Sequence, residues 1–247
     1  MTGSVPRRPT PRLAAFARVF TAALLLVAVV AVAAVAATGL GRATTFSARF
    51  STQHTASASG LVLRTAGRPP RSGITEAPAV RQTVILPSGT RLRLQALPQC
   101  RASDALIAAD GAEAACPPRS RVGSGGADGV LDGAPVHFDI GIYAVRGRLV
   151  FAAERGGLPL KQSFLGVARE ARLLLTVPTL AGRIAPTGFD ARIPARTGVN
   201  EWLHTPEQCP RSGHWTTVGR FQGVSSAGPD GRPVTHAQTL VDRIPCR

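Results

Sequence analysis

Between Val19 and Gly41 the chain runs for 23 residues without a charge, and Arg7, Arg8, Arg12 and Arg18 precede that run. As a helix it would span roughly 34 Å, enough to cross a hydrocarbon core of about 30 Å. Basic flanks stay on the cytoplasmic side, so everything after Arg42 is expected to fold outside the cytoplasm. The run is longer than the roughly 7–15-residue apolar core of a secretory signal, which favours a retained anchor. Its composition pulls the other way: 8 of the 23 residues are alanine, and Ala34-Val35-Ala36 fits a small-residue cleavage site. Two localisations follow, a cell-membrane protein with an extracytoplasmic C-terminal domain, or a secreted protein if the segment is cleaved.

This divides the chain into four parts. Residues 1–18 are a basic cytoplasmic tail and 19–41 the transmembrane anchor or signal segment. Residues 42–79 are a linker rich in Ala, Ser, Thr, Gly, Pro and Arg, with alternating pieces at Thr45–Phe50 and Gly60–Leu63 that suit first strands. Residues 80–247 are a disulfide-stapled β domain.

The β reading rests on period-2 alternation. It is clearest over Ala134–Val145, where Val136, Phe138, Ile140, Ile142 and Ala144 share one face and His137, Asp139, Gly141 and Tyr143 the other. Arg146-Gly147 suits a two-residue turn into Arg148–Ala153. Val80–Leu86 and Thr90–Leu97 read as a strand pair around Pro87-Ser88-Gly89. Ser120–Gly126 with Gly129–Leu131, Ala171–Val177, and weaker pieces around Ile184, Phe189 and Ile193 add further strands. The predicted fold is all-β, a β-sandwich or jelly-roll-like exported domain behind a single N-terminal transmembrane helix.

Cys100, Cys116, Cys209 and Cys246 all lie in the exported part. An even count in an oxidising compartment predicts two disulfides. Of the three connectivities, Cys100–Cys116 with Cys209–Cys246 fits the sequence best. The first pair flanks a short helix opened by Ser103, a good N-cap. The second flanks a terminal hairpin with strands near His214–Gln222 and Val234–Ile244. The spacing offers no CxxC and no Cys–His cluster, so no metal is expected.

After the apolar run there are 25 basic residues against all 14 acids, a net charge of +11. Nucleic acid is disfavoured as a partner by export, by an arginine excess spread along the chain, and by the lack of interleaved aromatics. What remains is a soluble basic surface, or electrostatic attachment to anionic cell-envelope polymers. The candidate chemistry is thin. Gly123-Ser124-Gly125-Gly126 lacks the Lys-Ser/Thr of a phosphate loop and the spacing of a nucleophile elbow, and suits a flexible strand edge. His137 and Asp139 project from one strand face without a defined nucleophile. His214 and His236 lie on the two hairpin strands. Glu154, Glu170 and Asp190 are the acids a glycan hydrolase would draw on. Trp202 lies in a loop-like stretch and is the candidate partner contact; Trp215 alternates with Phe221 and belongs to the core.

Ala96-Leu97-Pro98-Gln99-Cys100, then Ala115-Cys116-Pro117-Pro118-Arg119-Ser120-Arg121-Val122-Gly123-Ser124-Gly125, and the closing Thr205-Pro206-Glu207-Gln208-Cys209-Pro210, Ser212-Gly213-His214-Trp215 and Ile244-Pro245-Cys246 recur in one order. This pattern resembles uncharacterised exported proteins of high-GC actinobacteria with a paired-cysteine β domain. The resemblance covers roughly residues 80–247 and implies an exported, disulfide-bearing domain with no activity attached. The expectation is a non-enzymatic envelope protein, membrane-tethered or secreted, with a structural or binding role and no cofactor. A secreted hydrolase acting on glycans and a small-ligand or lipid carrier are the alternatives.

Overall fold

The alternation over residues 134–145 builds the centre of the fold. In the computed structural model, which describes residues 43–67, 79–131, 134–155, 158–176, 184–195, 201–225 and 234–247, it becomes strand β6 (Ala134–Val145). Val136, Phe138, Ile140, Ile142 and Ala144 point into one large core, as expected. Four more strands share the meander: β5 (Arg121–Leu131), β7 (Arg148–Arg155), β8 (Leu158–Arg169) and β9 (Arg172–Thr176). Arg146 and Gly147 have φ of 48° and 76°, the left-handed pair that a tight hairpin between β6 and β7 requires.

The remaining long strands are β1 (Ala43–Phe50), β2 (Leu61–Gly67), β3 (Ala79–Ile85), β10 (Ile184–Ile193), β12 (His214–Ser225) and β13 (Val234–Pro245). Together they form one 11-stranded sheet in the order β1-β2-β10-β5-β6-β7-β8-β9-β3-β12-β13. Every neighbouring pair is antiparallel. The all-β expectation holds. The two separate layers of a sandwich are replaced by a single sheet that curls until its edges nearly meet. Within residues 42–79 the possible first strands are β1 and β2, whose Phe46, Ala48, Phe50, Leu61 and Leu63 enter the core. The segment 19–41 lies outside the described residues. Among those residues no helix is long and apolar enough to cross a membrane.

Side chains join the two edges. Gln238 Nε2 donates to the Ala43 carbonyl at 2.6 Å, and Arg49 Nε lies 3.7 Å from Asp242 Oδ2. Inside the seam the Phe46 and Phe221 rings meet edge to face at 6.0 Å. Gly219 makes this possible, since a Cβ there would stand 2.7 Å from Phe46 Cδ2. Gly219→Ala is therefore expected to force Phe46 aside and cost about 1–3 kcal/mol by overpacking, measured by urea unfolding. Gly213→Ala supplies a control with open space around the new Cβ, although its φ of +71° adds its own strain.

One end of the curled sheet is closed by irregular chain. β4 (Arg91–Leu92) pairs with β11 (Leu203–His204), and a 3-10 turn over Leu94–Ala96 follows β4. The expected strand over Thr90–Leu97 is thus largely a turn, and β3 pairs with β12 and β9 instead. The bend drives Leu94 and Leu97 into the core, which an extended strand would have put on opposite faces.

The Cys100–Cys116 excursion forms α1 (Asp104–Asp110) and α2 (Ala112–Ala115). Ser103 caps α1 as predicted, accepting from Leu106 N at 3.1 Å. Ile107 and Ala112 cover the outer side of β6 and β7, where Tyr143, Val145, Val150 and Ala152 form a second buried cluster with the disulfide. This explains why β6 alternates in its first half and is buried on both faces in its second. Cys209–Cys246 closes the base of the β12–β13 hairpin, whose strands pair from His214↔Pro245 to Ser225↔Val234.

Candidate functional site

The outer face of β10, β5, β6 and β7 carries four acids, Asp190, Asp128, Asp139 and Glu154. Register aligns Asp190 with Gly126, Gly126 with Asp139, and Asp139 with Glu154, one row across four strands. The next row pairs Asp128 with His137. The His137 ring lies over Gly126, where a Cβ would stand 2.9 Å from its Cε1. Nδ1 donates to Asp128 Oδ1 at 2.7 Å, and Nε2 lies 3.8 Å from Asp139 Oδ1. An open cleft beside this ring is lined by Arg64, Thr65, Asp128, His137 and Asp190.

The hydrogen bond that His137 donates to Asp128 raises the His137 pKa above 6.5, and the negative charges of Asp128, Asp139 and Asp190 add to it. Asp128→Asn is expected to lower that pKa, read by an NMR titration of the imidazole. The sign follows from linkage. The pair's contribution to stability is complete below the unfolded value of 6.5 and is lost as the pH rises through the folded one. Both side chains are more than half exposed, so the titration, not the unfolding curve, carries the signal.

Chemically this arrangement is an imidazole clamped between carboxylates. Carboxylates face both ring nitrogens, so the imidazole is not presented to a hydroxyl nucleophile as a triad base would be. Among the described residues no group of three or more His, Cys, Asp and Glu side chains could hold a metal ion. The Gly123–Gly126 run is part of β5, paired on both sides with β10 and β6; it is a strand, but a central one and not an edge.

The three acids expected of a hydrolase do not converge. Glu154 and Asp190 are separated by three strand spacings, roughly 14 Å. Glu170 sits in the β8–β9 turn, eleven residues along from Pro159, the partner of Glu154. Burial raises the Glu154 pKa, and the neighbouring Glu113 carboxyl of α2 adds to it; neither Glu154 nor Asp139 lines the cleft.

Trp202 is 1% exposed and belongs to the main core, with Nε1 donating to the Pro194 carbonyl at 3.1 Å. It offers no ring face to a partner, which corrects the expected contact. The loop-like stretch around it closes the end of the sheet, and a large indole there fills space. Trp215 is buried as expected and packs edge to face on Phe50. His214 and His236 do not approach each other, since His236 pairs with Gly223 and His214 with Pro245. His204 instead pairs with Glu201 at 2.9 Å.

Asp128 escaped the sequence reading. Its signal is Asp132-Gly133, a dipeptide suited to a two-residue hairpin, which would set Asp128 opposite His137. No protein-family model, curated protein or solved structure matches this chain.

Proposed function

We propose that this chain is an exported cell-envelope protein that acts by binding and not by catalysis. The observation that carries the reading is the pair of bridges, Cys100–Cys116 and Cys209–Cys246, which leaves no free cysteine. Structural disulfides persist in oxidising compartments and are rare in the cytosol. The uncharged run at 19–41 supplies a route there, as an anchor or a cleaved signal. The candidate face supports binding over turnover, because its histidine is held by carboxylates and the predicted acids are spread along the sheet.

Two measurements test this. Cells lysed directly into a thiol-alkylating denaturant are expected to give a chain with no reactive thiol until reductant is added; four reactive thiols without reductant would place it in the cytosol and end the reading. The full-length chain is expected to sediment with isolated envelopes at low salt and to be released as ionic strength rises. No sedimentation at any salt would remove the binding role.

A further inference from the structure

One side of the curled sheet carries exposed arginines with almost no acid among them. Four strands, β9, β3, β12 and β13, lie opposite the acidic row in strand order. Their outward positions carry Arg172, Arg81, Arg220 and Arg243, all exposed. Asp242 is the one acid in these strands, and it turns toward Arg49 at the seam. Arg81 pairs with Gln222 and Arg220 with Thr83. Arg220 also pairs with Thr239, and Arg243 with Thr216. Arg81, Arg220 and Arg243 therefore step obliquely across three neighbouring strands, over roughly 20 Å. Gln222, Thr83, Thr239 and Thr216 supply amide and hydroxyl groups beside them, and Val218 with the exposed Val241 lies between Arg220 and Arg243.

We propose that this face docks a linear phosphodiester-bearing polymer of the cell envelope. The inference rests on the binding role proposed above and assigns it a surface and a chemistry. Arginine, threonine and glutamine side chains are among the groups that hydrogen-bond the phosphate oxygens of a phosphodiester backbone in protein–DNA interfaces, and arginine's planar fork suits phosphate in particular. An oblique line of cations fits an extended chain better than a compact anion. On the other side Arg64 and Arg192 lie beside Asp190, and Arg121 beside Glu154, so carboxylates compete there for the cations. The net positive charge attracts the polymer, and the face of β9, β3, β12 and β13 offers it arginines without facing carboxylates.

The test uses the full-length chain in zwitterionic nanodiscs and labelled poly(glycerol phosphate) as the probe. Arg81→Glu with Arg220→Glu is expected to weaken binding at least tenfold at moderate salt. Arg119→Glu with Arg192→Glu makes the same change in net charge on exposed sites elsewhere and is expected to weaken it less than twofold. Arg81→Thr with Arg220→Thr keeps strand-favouring residues and is expected to fall between them, which guards against a folding defect in the glutamate pair. Equal losses in both charge-matched variants would mean that net charge alone attracts the polymer, and would overturn the assignment. Displacement of the polymer by a monomeric short-chain phosphatidylglycerol at equal phosphate concentration would replace the polymer by a lipid headgroup and overturn it too. If the wild type sediments with envelopes and the Arg81/Arg220 variants do so equally well, this face is wrong while the binding role stands. If the wild type binds neither envelopes nor polymer, the role itself fails.

Discussion

Trp202→Ala is expected to lower the stability of the domain by about 3–5 kcal/mol, the usual cost of deleting a buried tryptophan, measured by urea unfolding. The indole is almost wholly buried in the main core. Its neighbours hold the end of the curled sheet: Arg93 N donates to the Trp202 carbonyl at 2.6 Å, and Leu203 pairs with Leu92. Removal would leave a cavity and orphan the Pro194 carbonyl that accepts from Nε1. Trp202→Phe separates the two effects, since it keeps most of the volume and loses the hydrogen bond, at a cost of about 1–3 kcal/mol. An exposed sugar-stacking tryptophan would behave in the opposite way, with ligand binding lost and the unfolding midpoint unchanged. Envelope binding by the alanine variant, measured well below its midpoint, is expected to match the wild type.

Local chemistry was legible where short turns fixed it. Arg146-Gly147 sets β6 against β7, which places Asp139 opposite Glu154. Ser103 announced α1, and the two bridges follow from the short excursion and the terminal hairpin. What escaped depends on partners distant in sequence. β10 inserts between β2 and β5, so Asp190 joins the acidic row through a pairing that no local pattern signals. β3 inserts between β9 and β12, and only that places Arg81 beside Arg220. β8 was missed because Gly166 interrupts its apolar face; the glycine is buried, with the Phe151 ring 3.0 Å from where its Cβ would be. Trp202 was misread because its segment has no period, yet chain that closes the end of a curled sheet needs bulk without needing alternation.

The two disulfides are expected to fail differently when removed. Cys209→Ser with Cys246→Ser opens a loop with a sequence separation of 37, worth about 4 kcal/mol in the chain-entropy account. The hairpin it closes carries Trp215, Phe221 and Ile244 into the main core, so the loss should appear as a lower urea midpoint for the whole domain. Cys100→Ser with Cys116→Ser opens a separation of only 16, about 3 kcal/mol on the same basis, but it frees a lid over β6 and β7. Ile107 and Ala112 would then leave Tyr143, Val145 and Val150 uncovered. Tyr143 is the chain's one tyrosine, and burial raises its pKa above 10.0. An ultraviolet titration of the phenol therefore reports the lid alone. In the Cys100/Cys116 variant the tyrosine is expected to titrate closer to 10.0 while the sheet stays folded by far-ultraviolet circular dichroism. In the Cys209/Cys246 variant it should keep its raised value until the domain unfolds. A tyrosine equally unmoved in both variants would mean that packing, and not the Cys100–Cys116 bridge, holds the lid down.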